Sequence, residues 1–220
     1  MLGTLFIVST PIGNLEDITL RAIDTLKKVD LIAAEDTRHT RILLDRYQIK
    51  TPTTSYFEYN KIQKTDYLLK VLKEGKSVAL VSDAGTPGIS DPGYKVIRVC
   101  IDSGISIIPI PGPSGLVTAL TISGKPTDKF TFEGFLSNKS ARRKNQLQKL
   151  KDEKRTAVLY ESPHRIVKSL EDILEVYGDI EIVLARELTK KFEEVRREKA
   201  SSLAAHFKLT PPKGEFIIII

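Results

Sequence analysis

Runs of β-forming residues alternate with amphipathic helical stretches through most of the 220-residue chain, and this rhythm constrains the fold more than any other feature. "LFIVST" (5–10) reads as a strand. The segment 18–29 reads as a helix with Ile18, Ala22, Ile23, Leu26 and Val29 on one side. A short buried strand at 31–35, a helix at 61–75 with a glycine stop and a strand at 77–82 follow. "YKVIRVCIDSG" and then "ISIIPI" repeat the order helix, glycine, strand. Such βα alternation predicts a largely parallel sheet with helices packed on it. Around 121–129 the rhythm breaks at Gly124, Pro126 and a polar cluster, which reads as a linker. We therefore expect an N-terminal α/β domain over 1–122 and a C-terminal α/β domain over 123–220. In the second, strands are expected at 130–136, 156–162 and 180–186, an exposed one within 189–198, and a last one in "GEFIIII". A basic helix (139–151) and a helix over 164–178 lie between them. The fold class is α/β, two lobes with a cleft between them, where ligands tend to sit.

Several function classes can be set aside. No apolar run approaches the roughly 20 residues of a membrane span. The N-terminus lacks a signal-peptide pattern, so a cytoplasmic protein without membrane attachment is expected. The single cysteine, Cys100, sits in a helical pattern and reads as a core filler. No G-x-G-x-x-G follows the first strand, which removes the dinucleotide fingerprint. "EGKS" (74–77) mimics part of a phosphate loop, but Lys70 stands where the earlier glycine is needed. The three histidines are widely spaced, so no metal site is expected. No G-x-S-x-G elbow occurs. The net charge of +6 leans toward an anionic partner. Eight Lys or Arg lie between Lys139 and Arg155, against Asp152 and Glu153. That helix suits either a solvated face or contact with a phosphate backbone.

The strand ends carry the chemistry. "STPIGN" (9–14), "AEDTRHTR" (34–41), "SDAGTPGISDPG" (82–93), "PIPGPSG" (109–115), "YESPHR" (160–165) and "ARELTK" (185–190) each follow an apolar run. In open α/β sheets ligands bind beyond the carboxyl ends of strands. Gly85, Gly88 and Gly112 let backbone approach a ligand, whereas Pro11, Pro87, Pro111 and Pro113 stiffen the loops. Ser114 is placed to cap a helix starting near Gly115, leaving amides to hold an anionic group. The expected site is a stiff pocket for a small, polar, partly anionic molecule that needs no metal.

"TPIGNLEDIT", "LIAAEDTRHT", "VSDAGTPGISDPG", "PIPGPS", "EGFL", "YESPHR" and "LARELTK", in that order, resemble the ribosomal RNA small-subunit methyltransferase I family. The resemblance runs from Gly3 to about Glu215. It implies the tetrapyrrole-methylase-like (class III methyltransferase) fold, S-adenosylmethionine as cofactor in the cleft, and a homodimer. It also implies methylation of the ribose 2′-oxygen of a cytidine in the decoding region of 16S rRNA, in the small ribosomal subunit. Residue by residue, it places Pro11, Ala84, Gly85, Thr86, Ile89, Ser114, Gly115 and Leu188 against the cofactor, with Glu161 on the adenosine side. Ser137 stands where the family usually has proline, and members often continue past the "GEF" strand. For chemistry, Arg38 and Glu161 are the expected catalytic residues, since a 2′-hydroxyl needs a base or a nearby cation. The competing reading of "EDTR" and "ARE" is a structural ion-pair network. His39, Arg142, Arg143, Lys144 and Arg165 are the expected RNA contacts. Tyr56, Phe57 and Tyr59 fit base stacking or, alternatively, core or dimer contacts. Two other functions fit the pattern: a methyltransferase acting on a tetrapyrrole or another small molecule, and a non-catalytic RNA-binding factor.

Overall fold

The computed structural model describes residues 1–220. The chain divides into two compact units, Met1–Ser114 and Gly115–Ile220, whereas the sequence reading places the division after residue 122.

The first unit runs β1 (Thr4–Val8), a 3₁₀ turn (Leu15–Asp17), α1 (Leu20–Lys28), β2 (Leu31–Ala34), α2 (Thr37–Arg46) and β3 (Thr53–Ser55). It continues with α3 (Lys61–Lys73), β4 (Val78–Val81), α4 (Tyr94–Asp102) and β5 (Ser106–Ile110). Its five strands are all parallel, in the order β3-β2-β4-β1-β5. β2 and β4 are buried along their whole length, as expected of parallel strands covered on both faces. Val8, Ile32 and Ala79 pack under Leu26 of α1 and Leu44 of α2. Leu5, Ala33 and Leu80 pack on the other face under Leu72 of α3 and Cys100 of α4. Burial pushes the Cys100 thiol up to about 11, so it is a core filler.

α2 corrects the reading of 34–41 as a loop. Asp36 adopts an extended backbone and its side chain accepts from Arg38 N, making it the N-cap of a helix that starts at Thr37. The Asp signal is plain in hindsight, but "TRHTR" offers no apolar periodicity to support it.

The second unit runs α5 (Gly115–Thr121), β6 (Phe130–Phe135), α6 (Ser140–Glu153), β7 (Thr156–Glu161) and α7 (Ile166–Tyr177). It ends with β8 (Glu181–Arg186), β9 (Glu194–Lys199), α8 (Ala200–Leu209) and β10 (Phe216–Ile219). The sheet order is β6-β7-β10-β8-β9. Only β6 and β7 pair in parallel; β10 lies antiparallel to both β7 and β8, and β9 antiparallel to β8. The largely parallel sheet expected from the βα alternation is thus found in the first unit, and the second sheet is mixed. The link between Arg186 and Glu194 is too short for a crossover helix, so β9 must return antiparallel. Leu147, Leu170 and Phe207, from α6, α7 and α8, close one core over Leu159, Leu184 and Phe216. The helix α8 carried no clear sequence signal. No helix of either unit is long and apolar enough to cross a membrane.

Candidate active site

In the first unit, α1 and α2 cover one face of the sheet and α3 and α4 the other. The connection leaving β4 therefore departs to the opposite face from those leaving its neighbours β1 and β2. Such a divergence marks the carboxyl end of β4 as the position at which doubly wound sheets hold ligands in a crevice.

The loops at this crevice are tied to one another. Thr10 and Gly85 exchange both backbone hydrogen bonds (2.8 and 3.0 Å), forming an isolated bridge between the loops after β1 and β4. Thr10 Oγ1 donates to Ser82 O at 3.1 Å. Ser9 Oγ and Thr86 Oγ1 lie 2.9 Å apart, and Thr86 Oγ1 donates to Pro113 O at 3.4 Å, which adds the loop after β5. Gly85 holds φ 79°, a left-handed backbone that glycine tolerates best. A Cβ on Gly112 would sit 3.1 Å from Ser9 Cβ, and one on Gly93 would sit 3.0 Å from Gly88 N. Close loop-to-loop approach thus accounts for the glycines, and the polar backbone of Gly85 is engaged by Thr10. Pro11 is buried, while Ala84 and Ile89 are exposed at the rim.

At the neighbouring strand ends stands a pair of carboxylates. Asp83 Oδ1 accepts from Asp36 N at 3.0 Å, and Glu35 Oε2 accepts weakly from Asp83 N at 3.4 Å. Burial, with the Asp83 charge added to it, raises the Glu35 pKa above its usual range. Asp36 is held well below the usual carboxylate range, chiefly by the Arg38 side chain and then by its backbone N–H. Arg38 Nε and Nη2 form the fork, at 3.1 and 2.7 Å, and the arginine side chain is 90% exposed. His39 is also exposed, in the first turn of α2. Asp83 went unremarked in the sequence, because its partner Glu35 is 48 residues away and only the pairing of β2 with β4 joins them.

The second unit redistributes the other expected residues. Glu161 is buried at the end of β7. It accepts from Ser169 Oγ (2.5 Å) and Ser162 N (2.8 Å), and Arg165 lies against it with Nε at 3.2 Å. That contact is close but poorly directed, since Arg165 Nε has no aligned acceptor. Glu161 therefore orients the β7–α7 turn, and its oxygens are not open to a reacting hydroxyl. Arg165 clips this turn to β6 through Leu136 O at 2.5 Å, so it is not a free RNA contact.

Arg143 is the clearest correction. It is 2% exposed and bonded to Asp172 Oδ2 through Nε at 2.7 Å and to Ser137 O at 3.1 Å. Lys144 pairs with Glu175, whereas Arg142 remains exposed with no ion pair. The anion site expected at the start of α5 is also altered: Leu116 N donates to Tyr160 Oη at 3.1 Å. Leu188 is buried between Glu187 and Thr189, both at positive φ (49° and 65°). Tyr56 is core, whereas Phe57 and Tyr59 are exposed. No group of three or more His, Cys, Asp or Glu is placed to hold a metal ion.

Residues 4–204 match the family of tetrapyrrole (corrin/porphyrin) methylases. The fold is shared with cobalt precorrin-4 methyltransferase, a cobalamin biosynthetic enzyme (TM-score 0.76, 17% identity, 98% of this chain and 94% of that one). It is shared too with a uroporphyrin-III C-methyltransferase of Thermus thermophilus solved with S-adenosylhomocysteine (0.69, 16%, 99% and 97%). The class defined by fold and site is that of the tetrapyrrole methylases.

Within that class the sequence relatives are narrower. The ribosomal RNA small subunit methyltransferase I of Thermotoga maritima is 50% identical over 219 residues, 100% of this chain and 98% of that protein. Its namesake from Synechocystis is 50% identical over 220 residues, 100% of this chain and 79% of that protein. The chain belongs to the ribosomal RNA small subunit methyltransferase I family, and it is a methyltransferase.

Proposed function

We propose that the chain transfers the methyl group of S-adenosylmethionine to the ribose 2′-oxygen of a cytidine in the decoding region of 16S rRNA, within the small ribosomal subunit. The observation that carries this reading is the identity of about half of all residues, over the whole chain, with proteins named for small-subunit rRNA methylation.

The first unit fits the cofactor in two respects. Its tied loops present small residues and positive-φ glycines where a ligand can approach, and Glu35 and Asp83 have no cation partner, which suits a positively charged sulfonium. Pro11, Ala84, Gly85, Thr86, Ile89 and Ser114 are the residues of the first unit that would hold it; the family resemblance also implies Gly115 and Leu188. When bound, adenosylmethionine supplies an electrophilic methyl group. Much of the rate then comes from holding the acceptor oxygen in line with it. Glu35, with its raised pKa and one oxygen left without a protein donor, would take the proton of the acceptor hydroxyl. Arg38, fixed in a fork by Asp36, retains Nη1 to stabilise the developing negative oxygen. Glu161 holds the β7–α7 turn.

His39 and Arg142 contribute phosphate contacts, positioning the RNA without choosing the nucleotide, whereas Lys144 is engaged by Glu175. The protein works in the cytoplasm as a homodimer. Exposed Ile62 and Tyr67 on α3 and Ile101 on α4 support a covered surface there.

The test is incubation with methyl-labelled adenosylmethionine and unmodified small subunits, followed by nuclease digestion and mass spectrometry. One ribose methyl on one decoding-region cytidine is the expected result. Methyl on a base, or none on RNA while a tetrapyrrole is methylated, overturns the reading.

A further inference from the structure

The end of β6 carries an arrangement that the site above does not use. In a regular strand, residues three apart face opposite sides of the sheet. Here the register with β7 slips between Phe132 and Gly134, and Gly134 takes φ 58°, so one extra residue is accommodated as a β-bulge. The slip turns Phe132 and Phe135 to the same neighbour. Both rings meet Tyr160 edge-on, at 4.9 and 5.9 Å. Tyr160 cannot swing away, because its hydroxyl accepts from Leu116 N. The outermost ring, Phe135, is 54% exposed.

The loop that follows is stiff and cationic. Arg165 binds Leu136 O, Arg143 binds Ser137 O, and Gln146 Oε1 accepts from Ser137 N at 2.9 Å. Arg143 is neutralised by Asp172, but Lys139 and Arg142, which precede it, are exposed and carry no ion pair. Lys139 is four residues from Phe135, at most about 14 Å along an extended chain. A fixed, exposed aromatic ring with two uncompensated cations beside it matches one chemistry: a planar base joined to a phosphate backbone. The acidic side chain in this stretch, Glu133, is held at Thr131 Oγ1.

We infer that Phe135, backed by Tyr160 and Phe132, is a stacking platform for an unstacked nucleobase of the RNA substrate, with Lys139 and Arg142 on its phosphates. The inference rests on RNA being the substrate, as proposed above.

The chain contains no tryptophan, so Phe135→Trp creates a single reporter. We expect its fluorescence to be quenched by a short single-stranded cytidine-containing oligoribonucleotide, and less by an RNA duplex of equal charge. Tyr59→Trp, at a 96% exposed position, should not respond. In methyl transfer to small subunits, Phe135→Ala should raise KM about 5- to 150-fold, the loss of one stack. Its kcat and adenosylmethionine affinity should stay as in wild type, and Phe135→Tyr should restore KM. No quenching, equal quenching at both tryptophans, or an unchanged KM in a folded Phe135→Ala protein overturns the platform. So does a Phe135→Ala protein that loses oligomeric state with RNA affinity intact, since the ring would then face a second copy. Quenching without methyl transfer by the wild type would leave the platform standing and overturn the proposed reaction instead.

Discussion

Arg143 is the residue on which the sequence and the structure disagree most sharply, and Arg143→Ala separates them. As a surface cation on a basic helix, its loss should cost RNA affinity and little else. As the structure has it, the guanidinium lies buried against Asp172 and holds Ser137 O, with Ser140 Oγ on the other Asp172 oxygen at 2.9 Å. Removing it strands a buried carboxylate whose nearest remaining cation is Lys144 at 3.8 Å. Breaking such a pair costs about 3–5 kcal/mol. For a chain of this size each kcal/mol moves Tm by about 2–4 °C, so the melting point should fall by roughly 6–20 °C. Arg142→Ala, one residue earlier and exposed, should stay within about 0.5 kcal/mol of wild type. Replacing both charges, as Arg143→Met with Asp172→Leu, should recover most of the loss, because the penalty comes from the unpaired ion. Thermal and urea melts of these variants are the assay. An Arg143→Ala protein that melts within about 2 °C of wild type, while its RNA binding loses about one unit of salt slope, would refute the burial argument and reinstate the phosphate contact.

Asp83→Asn removes the like charge beside Glu35 and so lowers the raised Glu35 pKa; the acidic limb of the kcat–pH profile should move to lower pH, and an unmoved limb rules out Glu35 as the proton acceptor. Because the folded pKa of Glu35 lies above 4.5, the native state keeps a proton that the unfolded chain releases, and stability falls as pH rises through that window. Glu35→Gln should flatten this slope in melts between pH 4 and pH 8. Gly85→Val places a β-branched residue at φ 79°, at a backbone cost of about 1–2 kcal/mol, and should abolish adenosylmethionine binding by calorimetry; an unchanged Kd contradicts the crevice assignment. Glu161→Gln should lower stability by about 1–3 kcal/mol with kcat within about threefold of wild type. A hundredfold loss of kcat at unchanged Tm would return Glu161 to the reacting centre.

The strand-end loops of the first unit were legible because turn chemistry is local: glycine, proline and Ser/Thr at fixed offsets after apolar runs announce themselves without knowledge of the partner strand. The helices α2 and α8 were not, since "TRHTR" and "SSLAAHFKL" lack a wide apolar stripe, and packing rather than periodicity decides them. The mixed second sheet was illegible for a similar reason. An isolated "FIII" reads alike whether it is inserted parallel or antiparallel, and the choice is made by the connections around β10.

Charge was the least legible property, and the reason bears on function. Between Lys139 and Arg155 the sequence shows eight cations of equal standing. Folding sorts them. Arg143 becomes an internal fastener, Lys144 and Arg155 meet carboxylates, Lys151 meets the Val176 carbonyl, and Lys139, Arg142, Lys149 and Lys154 are left exposed without an ion pair. A long-range phosphate field needs only net charge, whereas holding one nucleotide in register needs cations whose positions are set. The buried Arg143 meets the second requirement by tying the loop that carries Lys139 to α6, which carries Arg142. If the proposed RNA contacts hold, the basic run divides its labour: the buried cation fixes the positions of cations that face the phosphates.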